Sequence, residues 1–302
     1  DPVMLTRLRR TIAIARAHGL GTELTLFDGW HEYDRIGASR AWANQLLKGI
    51  AGEPGVAYID LQNELTSADE PGALAWARHL LPFVMRHDHG VPVTVSTSIS
   101  SGVAPLKRLI RGLRGERPDL YDVHYYGNPA AAYAILDRAR QLAGRTPVFV
   151  GETGFSTDPS YGWAEGLAPG GRSLAAYQAY YFRMVEFAAQ AVGLPDASPW
   201  ILYDMPHQGD TDWGHHMGIL HPDGARKPAA SVLSRIFSGG PVGTSFNNGF
   251  EQRGGDPSLP TLWRRWLPTD AEFSVDPKVA HGGHASARIS HAGGDHETGC
   301  PA

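Results

Sequence analysis

The stretch LYDVHYYGNPAAAYAILDRARQLAGRTPVFVGETGF (120–155) decides the fold class. An apolar run rich in β-branched and aromatic residues occupies 120–127, an amphipathic segment follows at 129–143, and a second apolar run occupies 146–155. Such runs predict buried strands, and the segment between them predicts a helix. The stretch therefore predicts a strand–helix–strand unit with two parallel strands.

The same alternation extends over the first 240 residues. Strands are predicted at 21–30, 55–65, 91–100, 120–127, 146–155 and 199–208. Helices are predicted near 3–18, 38–51, 70–89, 103–114, 129–143, 172–192 and 227–237. Six strand–helix units after an opening helix predict an α/β fold, either a barrel or an open doubly wound sheet. The first strand ends in FDGWHEYD (27–34), which lacks the glycine-rich phosphate loop of a nucleotide-binding sheet.

Polar side chains are concentrated where the predicted strands end. They are Asp28, Asn63, Glu64, Ser96, Ser98, His124, Tyr126, Glu152 and Asp204. In α/β folds the ligand site lies at this edge of the sheet. The sequence therefore predicts a binding or catalytic site there.

Glu64 and Glu152 are the candidate catalytic pair, because each directly follows a strong apolar strand. Cleavage of a glycosidic bond with retention of configuration needs two carboxyl groups roughly 5–5.5 Å apart. Either glutamate alone has another interpretation, as a charge that stabilises a helix N-terminus. The pair, with its neighbours, favours catalysis.

Three motifs occur in order on these strands: LQNEL (61–65), VHYYG (123–127) and VGETGF (150–155). They resemble motifs of the retaining (β/α)8 glycoside hydrolases, closest to the family 5 (cellulase-type) and related families. The segment HMGILHPDGARKPAASVL (216–233) resembles that clan's run from the last strand into the last helix. The resemblance covers residues 1–238 and implies a TIM barrel whose first visible strand corresponds to the third of eight.

The resemblance also implies roles. Glu64 would be the acid/base, with a raised pKa, and Glu152 the nucleophile. Asn63 would bind the sugar 2-hydroxyl, and Tyr126 would donate a hydrogen bond that keeps Glu152 ionised. His124 would line the site, although a core histidine with satisfied hydrogen bonds is an equal alternative.

Further substrate-binding candidates are Asp28 and several aromatic residues in predicted loops. The aromatic candidates are Trp30, Tyr33, Tyr161, Trp163 and Trp213, about half of which we expect to pack within loops. The clan's tryptophan near the end of strand eight has no obvious counterpart. Trp200 is placed too early for it, so Tyr203 or Asp204 is expected in that region. Trp42 and Trp76 lie within helices and are predicted core residues.

Composition excludes several function classes. The chain has 302 residues, a net charge of −4 and no long basic block, which argues against nucleic-acid binding. No apolar run is long enough to predict a membrane span. Four histidines, His207, His215, His216 and His221, lack the spacing of a zinc site, so neither a metal nor a cofactor is predicted. The single cysteine, Cys300, offers no internal disulfide.

The composition and the hydrophobic pattern of the sequence change after residue 238. We predict a linker at 239–248 and a partial β-sandwich at 249–302. The run NNGFEQRG (247–254) resembles the opening of a carbohydrate-binding module, and Trp263 and Trp266 would be core or ligand-stacking residues. The sequence shows six strand–helix units, whereas a closed barrel of this type has eight. We therefore predict that the chain is a fragment that lacks the first two barrel strands and most of the module.

The sequence thus predicts a secreted, monomeric retaining hydrolase of a β-linked oligosaccharide or polysaccharide. Another member of the clan, of the β-xylosidase, β-galactosidase or glucuronidase type, is an alternative. A non-catalytic carbohydrate-binding barrel is the alternative from another class.

Overall fold

The computed structural model describes residues 1–65, 72–158, 173–205, 216–240, 242, 272–279 and 285–290. Helices α1 to α7 span Pro2–Ala17, Ile36–Ile50, Ala73–Met85, Ala104–Gly112, Ala132–Ala143, Leu174–Ala191 and Pro228–Phe237. Strands β1 to β7 span Thr22–Thr25, Val56–Asp60, Val93–Ser98, Leu120–Tyr125, Val148–Thr153, Glu272–Asp276 and Ser286–Ser290. A 3-10 turn, Pro129–Ala131, precedes α5.

Strands β1 to β5 form one parallel sheet in which the order in space equals the order along the chain. A helix connects each strand to the next. A doubly wound sheet would contain a point at which the strand order reverses, and this sheet contains none. The arrangement is therefore an incomplete (β/α)8 barrel, and the predicted fold class is confirmed.

The sixth predicted strand, at 199–208, is only partly regular. Pro199 forms a parallel bridge with Thr153, and the N–H of Trp200 donates to the carbonyl of Thr153 at 2.7 Å, so the segment lies beside β5. Further along, Tyr203 bridges to Leu220 instead. The chain turns away after one bridge, and residues 206–208 lie outside the described part of the chain.

The sheet has one apolar and one polar face. Ile59, Val95, Val123 and Val150 alternate along their strands and are fully buried beneath the helices. The opposite, inward face carries polar side chains: Tyr58, Asp60, Thr94, Ser96, Asp122 and His124. The apolar face accounts for stability by burial, and the polar face leads to the site.

Helix α6 shows how the sequence sets one of these elements. Ser173 caps its N-terminus, where the side chain accepts a hydrogen bond from the N–H of Ala176. Tyr181, Phe182 and Val185 lie on one face and are buried. The helix therefore covers β5 with an apolar stripe.

The two tryptophans that were predicted to be core residues differ in burial. Trp76 is fully buried, meets Phe27 edge-on at 5.0 Å and donates its indole N–H to Ser39, so that prediction is confirmed. Trp42 is 46% exposed, and that prediction is wrong. Trp42 lies on α2, and its indole N–H donates to the carbonyl of Leu26, which holds the ring at the surface of the protein.

The residues from Ser238 onward form a second compact unit. Its described part is an antiparallel hairpin of β6 and β7, with Glu272 opposite Ser290 and Asp276 opposite Ser286. Both strands lie within the segment that was predicted to be a partial β-sandwich, 249–302. Trp263, Trp266 and Cys300 lie outside the described residues, and the boundaries of the linker and the module stay predictions.

None of the helices that the structure describes combines the length and apolar character needed to cross a membrane.

Candidate active site

A cleft of about 640 Å³ opens at the carboxyl ends of the strands. It is lined by Glu23, Thr25, Asp28, Asn63, Glu64, Ser98, Tyr126, Glu152, Gly154, Ser156, Trp200 and Met217. Both predicted catalytic glutamates are among these residues. The place agrees with the edge at which barrel enzymes carry their sites.

Glu64 follows β2 in an unusual backbone conformation. Its φ is +46°, in the left-handed region that residues other than glycine seldom adopt. The hydroxyl of Ser96 accepts a hydrogen bond of 2.8 Å from the N–H of Glu64 and donates to Oδ2 of the buried Asp60. These contacts offset the conformational cost and aim the Glu64 side chain into the cleft.

Glu152 is placed by the packing of β5 against β4. It pairs with His124 in the sheet register, next to an irregularity between Val123 and His124. The preceding residue must be glycine, since a Cβ at Gly151 would collide with the carboxylate of Asp122. Oδ1 of that carboxylate accepts a hydrogen bond of 2.8 Å from the N–H of Gly151. Asp122 thus fixes the backbone immediately before Glu152.

The imidazole of His124 lies between the two glutamates. Its Nδ1 is 3.1 Å from Oε1 of Glu64 and 3.3 Å from Oε2 of Glu152. Because both oxygens neighbour the same atom, these two distances limit their separation to about 6.4 Å. The structure therefore brings the predicted pair together at one cleft.

The environment of His124 favours its charged form. Burial lowers the pKa of this imidazole, but contacts with Asp122 and Glu64 and the charge of Glu152 outweigh that effect and raise the pKa to about 10. The ring is 2% exposed, and its Nε2 lies 3.7 Å from Oδ1 of Asp122. His124 is therefore an imidazolium at neutral pH, which makes it more than a core histidine.

Tyr126 donates a hydrogen bond of 2.7 Å to Oε2 of Glu152, as predicted. As expected, this hydrogen bond lowers the pKa of Glu152. Burial raises the pKa of Glu152, and although His124 and the Tyr126 hydrogen bond lower it, the net direction is upward. Desolvation of the carboxylate outweighs the two contacts.

Asn63 and Asp28 lie side by side in the cleft. The side-chain amide of Asn63 donates to Oδ1 of Asp28 at 3.2 Å. The backbone N–H of Asn63, in the turn after β2, donates to the carbonyl of Phe27. Two polar groups that face a cleft at this spacing can bind neighbouring hydroxyls of a sugar.

Trp200 lines the cleft, which corrects the expectation that it lies too early. Its hydrogen bond to Thr153 places it directly beside β5, so the residue that follows the bridge already faces the site. Tyr203 is 48% exposed and is not among the described lining residues. Asp204 is buried in an ion pair of 2.7 Å with Lys227, a structural role.

Two of the five predicted loop aromatics, Trp30 and Tyr33, lie in the described part of the chain, and both pack on other aromatic rings. Tyr33 is buried against Trp76, and its hydroxyl accepts a hydrogen bond from the amide of Gln62. Trp30 packs on Phe27 at 5.5 Å and is not among the described cleft-lining residues, and its contact with substrate stays a prediction. Tyr161, Trp163 and Trp213 lie outside the described residues.

The described residues contain no group of three or more His, Cys, Asp or Glu side chains placed to hold a metal ion. His221 instead lies 3.5 Å from Asp204, at the buried ion pair. His207 and His215 lie outside the described residues.

Glu23 lines the cleft and was missed by the sequence analysis. It lies on β1 and accepts a hydrogen bond of 2.8 Å from the hydroxyl of Tyr58. Partial burial, with the nearby charge of Asp122, raises the pKa of Glu23 to about 7. The alternation TELT (22–25) places Glu23 and Thr25 on the inward face, and that alternation was the signal available in the sequence.

No protein-family model matches the chain, and no curated protein matches it. Several solved structures match the chain. The GH53 catalytic domain of Ignisphaera aggregans is 17% identical, with a TM-score of 0.56 over 74% of this chain and 76% of that one. An exo-β-1,4-mannosidase from Opitutaceae bacterium strain TAV5 is 16% identical, with a TM-score of 0.63 over 79% of this chain and 49% of that one.

A β-D-glucuronidase from Dictyoglomus thermophilum is 16% identical, with a TM-score of 0.52 over 68% of this chain and 36% of that one. The chain thus spans about half of the mannosidase and about a third of the glucuronidase. At this level of identity the comparisons establish the fold, which these enzymes share with the chain.

Proposed function

We propose that this chain carries the catalytic site of a retaining glycoside hydrolase that cleaves β-linked glycans. One observation carries the proposal: Oε1 of Glu64 and Oε2 of Glu152 lie within 3.1 and 3.3 Å of one buried nitrogen, at the cleft where the strands end. Two carboxyl groups across a cleft are the catalytic equipment of most glycosidases.

The separation favours retention over inversion. The limit of about 6.4 Å between the two oxygens lies below the roughly 6.5–9.5 Å that an inverting enzyme needs for its water. In the proposed reaction Glu152 attacks the anomeric carbon while Glu64 gives its proton to the leaving oxygen. Glu64 then takes a proton from water, and the hydroxide releases the sugar from Glu152.

The rest of the cleft is suited to a sugar. Asn63 and Asp28 supply hydrogen-bonding groups, and the indole of Trp200 supplies a flat apolar face against which the C–H groups of a pyranose can stack. Tyr126 holds Oε2 of Glu152, and in the proposed reaction the other oxygen, Oε1, attacks the anomeric carbon.

The structural neighbours support this class of reaction. Two of them are a mannosidase and a glucuronidase, enzymes that release sugars from glycosides. A different clan member, of the β-xylosidase, β-galactosidase or glucuronidase type, is the alternative enzyme. A non-catalytic sugar-binding barrel is disfavoured, because binding alone does not require two carboxylates beside one imidazolium.

The proposal also includes action outside the cell as a monomer on an oligosaccharide or polysaccharide, and a carbohydrate-binding role for residues 249–302. The antiparallel pair of β6 and β7 agrees with an all-β segment in this part of the chain.

The test is a panel of aryl β-glycosides, with the configuration of the first product followed by proton NMR. We expect hydrolysis of at least one member with a β-configured first product. Glu152→Gln should abolish that turnover. A first product of α configuration would contradict retention, and binding without hydrolysis across the panel and natural glycans would favour the non-catalytic barrel.

A further inference from the structure

Asp122 contacts both elements that place the catalytic pair. Its side chain lies on the inward face of β4 and is 1% exposed. Oδ1 accepts the N–H of Gly151, the residue before Glu152, and the same oxygen lies 3.7 Å from Nε2 of His124. One buried carboxylate therefore touches the backbone that carries Glu152 and the ring that separates Glu152 from Glu64.

Acidic side chains in the described part of the chain face His124 from several strands. Glu64 and Glu152 approach Nδ1, and Asp122 approaches Nε2. Asp60 on β2 and Glu23 on β1 act on the ring at longer range. A charged imidazolium thus compensates an otherwise negative barrel interior within the described residues.

The reaction moves a negative charge between the two glutamates without changing its sum. Before attack, Glu152 is a carboxylate and Glu64 is a neutral acid. After attack, Glu152 is an uncharged ester, and Glu64, which has given its proton to the leaving oxygen, is a carboxylate. The pair carries one negative charge at both stages, on a different residue each time.

The position of His124 matches this shift. Its Nδ1 is 3.1 Å from one carboxylate and 3.3 Å from the other, so its single N–H can point to either of them. A fixed cation at nearly equal distances stabilises each charged form in turn without moving, which is how preorganised electrostatics lower a barrier.

We infer that Asp122 is a positioning residue that keeps His124 cationic, so that one fixed positive charge faces the catalytic pair before and after the glycosyl transfer to Glu152. This inference rests on the proposed function for its catalytic meaning. The charge of His124, on which the inference depends, can be measured without any turnover.

Asp122→Asn is the variant that separates charge from shape. An asparagine has the same size, and its carbonyl can still accept the N–H of Gly151. If that carbonyl keeps the N–H of Gly151, it is also the atom nearest Nε2, so the variant removes the negative charge beside the ring and the pKa of His124 should fall. Asp119→Asn is the matched control, because Asp119 precedes β4 at the opposite end, where its side chain accepts the N–H of Val93.

The first measurement is the titration of His124 by ¹⁵N NMR of histidine-labelled protein, assigned with His124→Gln. In the parent and in Asp119→Asn we expect the ring to stay protonated through pH 8. In Asp122→Asn we expect the titration at least about two pH units lower. Equal titration in all three proteins would overturn the inference, whether or not the parent hydrolyses glycosides.

The second measurement is turnover of two aryl β-glycosides, one limited by attack of Glu152 and one by release of the sugar. Since the cation serves both steps, Asp122→Asn should slow both by roughly 10–100-fold. The acidic limb of the pH profile should move up by about one unit, because His124 no longer lowers the pKa of Glu152. Unchanged rates and an unchanged acidic limb would overturn the inference.

His124→Gln serves if Asp122→Asn does not fold, since it removes the charge and keeps a hydrogen-bond donor. It should move the acidic limb up by at least as much, because it keeps the charge of Asp122, which raises the pKa of Glu152. A parent without any hydrolysis would refute the proposed function, and the NMR titration would still decide the role of Asp122.

Discussion

Tyr126 on the loop after β4 donates a hydrogen bond of 2.7 Å to Oε2 of Glu152 on β5. It is one of two contacts that lower the pKa of Glu152 against the burial that raises it. The register of β4 and β5 sets this contact, since it pairs His124 with Glu152. Tyr126 follows His124 by two residues and therefore lies on the same face of the sheet.

Tyr126→Phe should therefore raise the pKa of Glu152 further. The carboxylate is the attacking form, so the acidic limb of the pH profile should move to higher pH by about one unit, the equivalent of one hydrogen bond to a charged group. The pH dependence of kcat/KM measures this shift. Tyr133→Phe, at a residue that is 52% exposed, is the control, and equal profiles for both variants would contradict the role.

Trp200→Ala should weaken sugar binding, because it removes the flat face in the cleft. We expect kcat/KM to fall by roughly 10–100-fold, about 1.4–2.8 kcal/mol, with most activity kept in Trp200→Phe. Phe187→Ala, at an exposed aromatic on α6, should leave kcat/KM unchanged. Full activity in Trp200→Ala would show that the indole does not contact substrate.

Gly151→Ala should destabilise the protein by about 1–3 kcal/mol, because its methyl group would collide with the carboxylate of Asp122. Gly37→Ala is the matched control within α2, where a Cβ meets nothing within 4 Å. There alanine should be neutral or stabilising by up to about 1 kcal/mol. Denaturant unfolding of both variants checks the contrast, which an equal stability of the two would refute.

Glu186 on α6 should make stability depend on pH. Burial raises its pKa to about 8, and while Oε2 accepts the N–H of Ala197, Oε1 has no hydrogen-bond partner among the described residues. A carboxyl group with a raised folded-state pKa contributes stability that is complete below its unfolded pKa of about 4.5 and is lost as the pH rises through about 8.

Glu186→Gln removes this titration. The melting temperature of the variant relative to the parent should rise between pH 4.5 and pH 9, corresponding to a few kcal/mol at the upper end. Thermal melts across that range test it. A difference between variant and parent that is the same at every pH would contradict the assignment.

The sequence was informative where regular strands carry the site. Glu64 and Glu152 were found because each follows an apolar run at the edge where barrel ligands bind. Trp200 was misplaced because its segment makes a single bridge to Thr153 and then turns, so no period-2 pattern marks which side chain faces the cleft.

Asp122 and Glu23 were missed for a different reason. Both occupy inward positions of short strands, where barrels usually carry branched apolar residues, and their importance depends on neighbours from other strands. The contacts of Asp122 with Gly151 and of Glu23 with Tyr58 join positions about 30 residues apart in the chain. A single sequence shows the residues but not those pairs.

The assignment of Glu152 as nucleophile and Glu64 as acid/base is tested most directly by azide rescue of two alanine variants on an aryl β-glycoside with a good leaving group. In Glu152→Ala, azide should fill the vacated nucleophile position and give the α-glycosyl azide. In Glu64→Ala, the sugar should still reach Glu152, because this leaving group needs no proton, and azide should release it as the β-glycosyl azide. Product configuration by proton NMR decides the matter: opposite configurations are predicted, whereas the same configuration from both variants, or parent-like hydrolysis by both, would contradict the account.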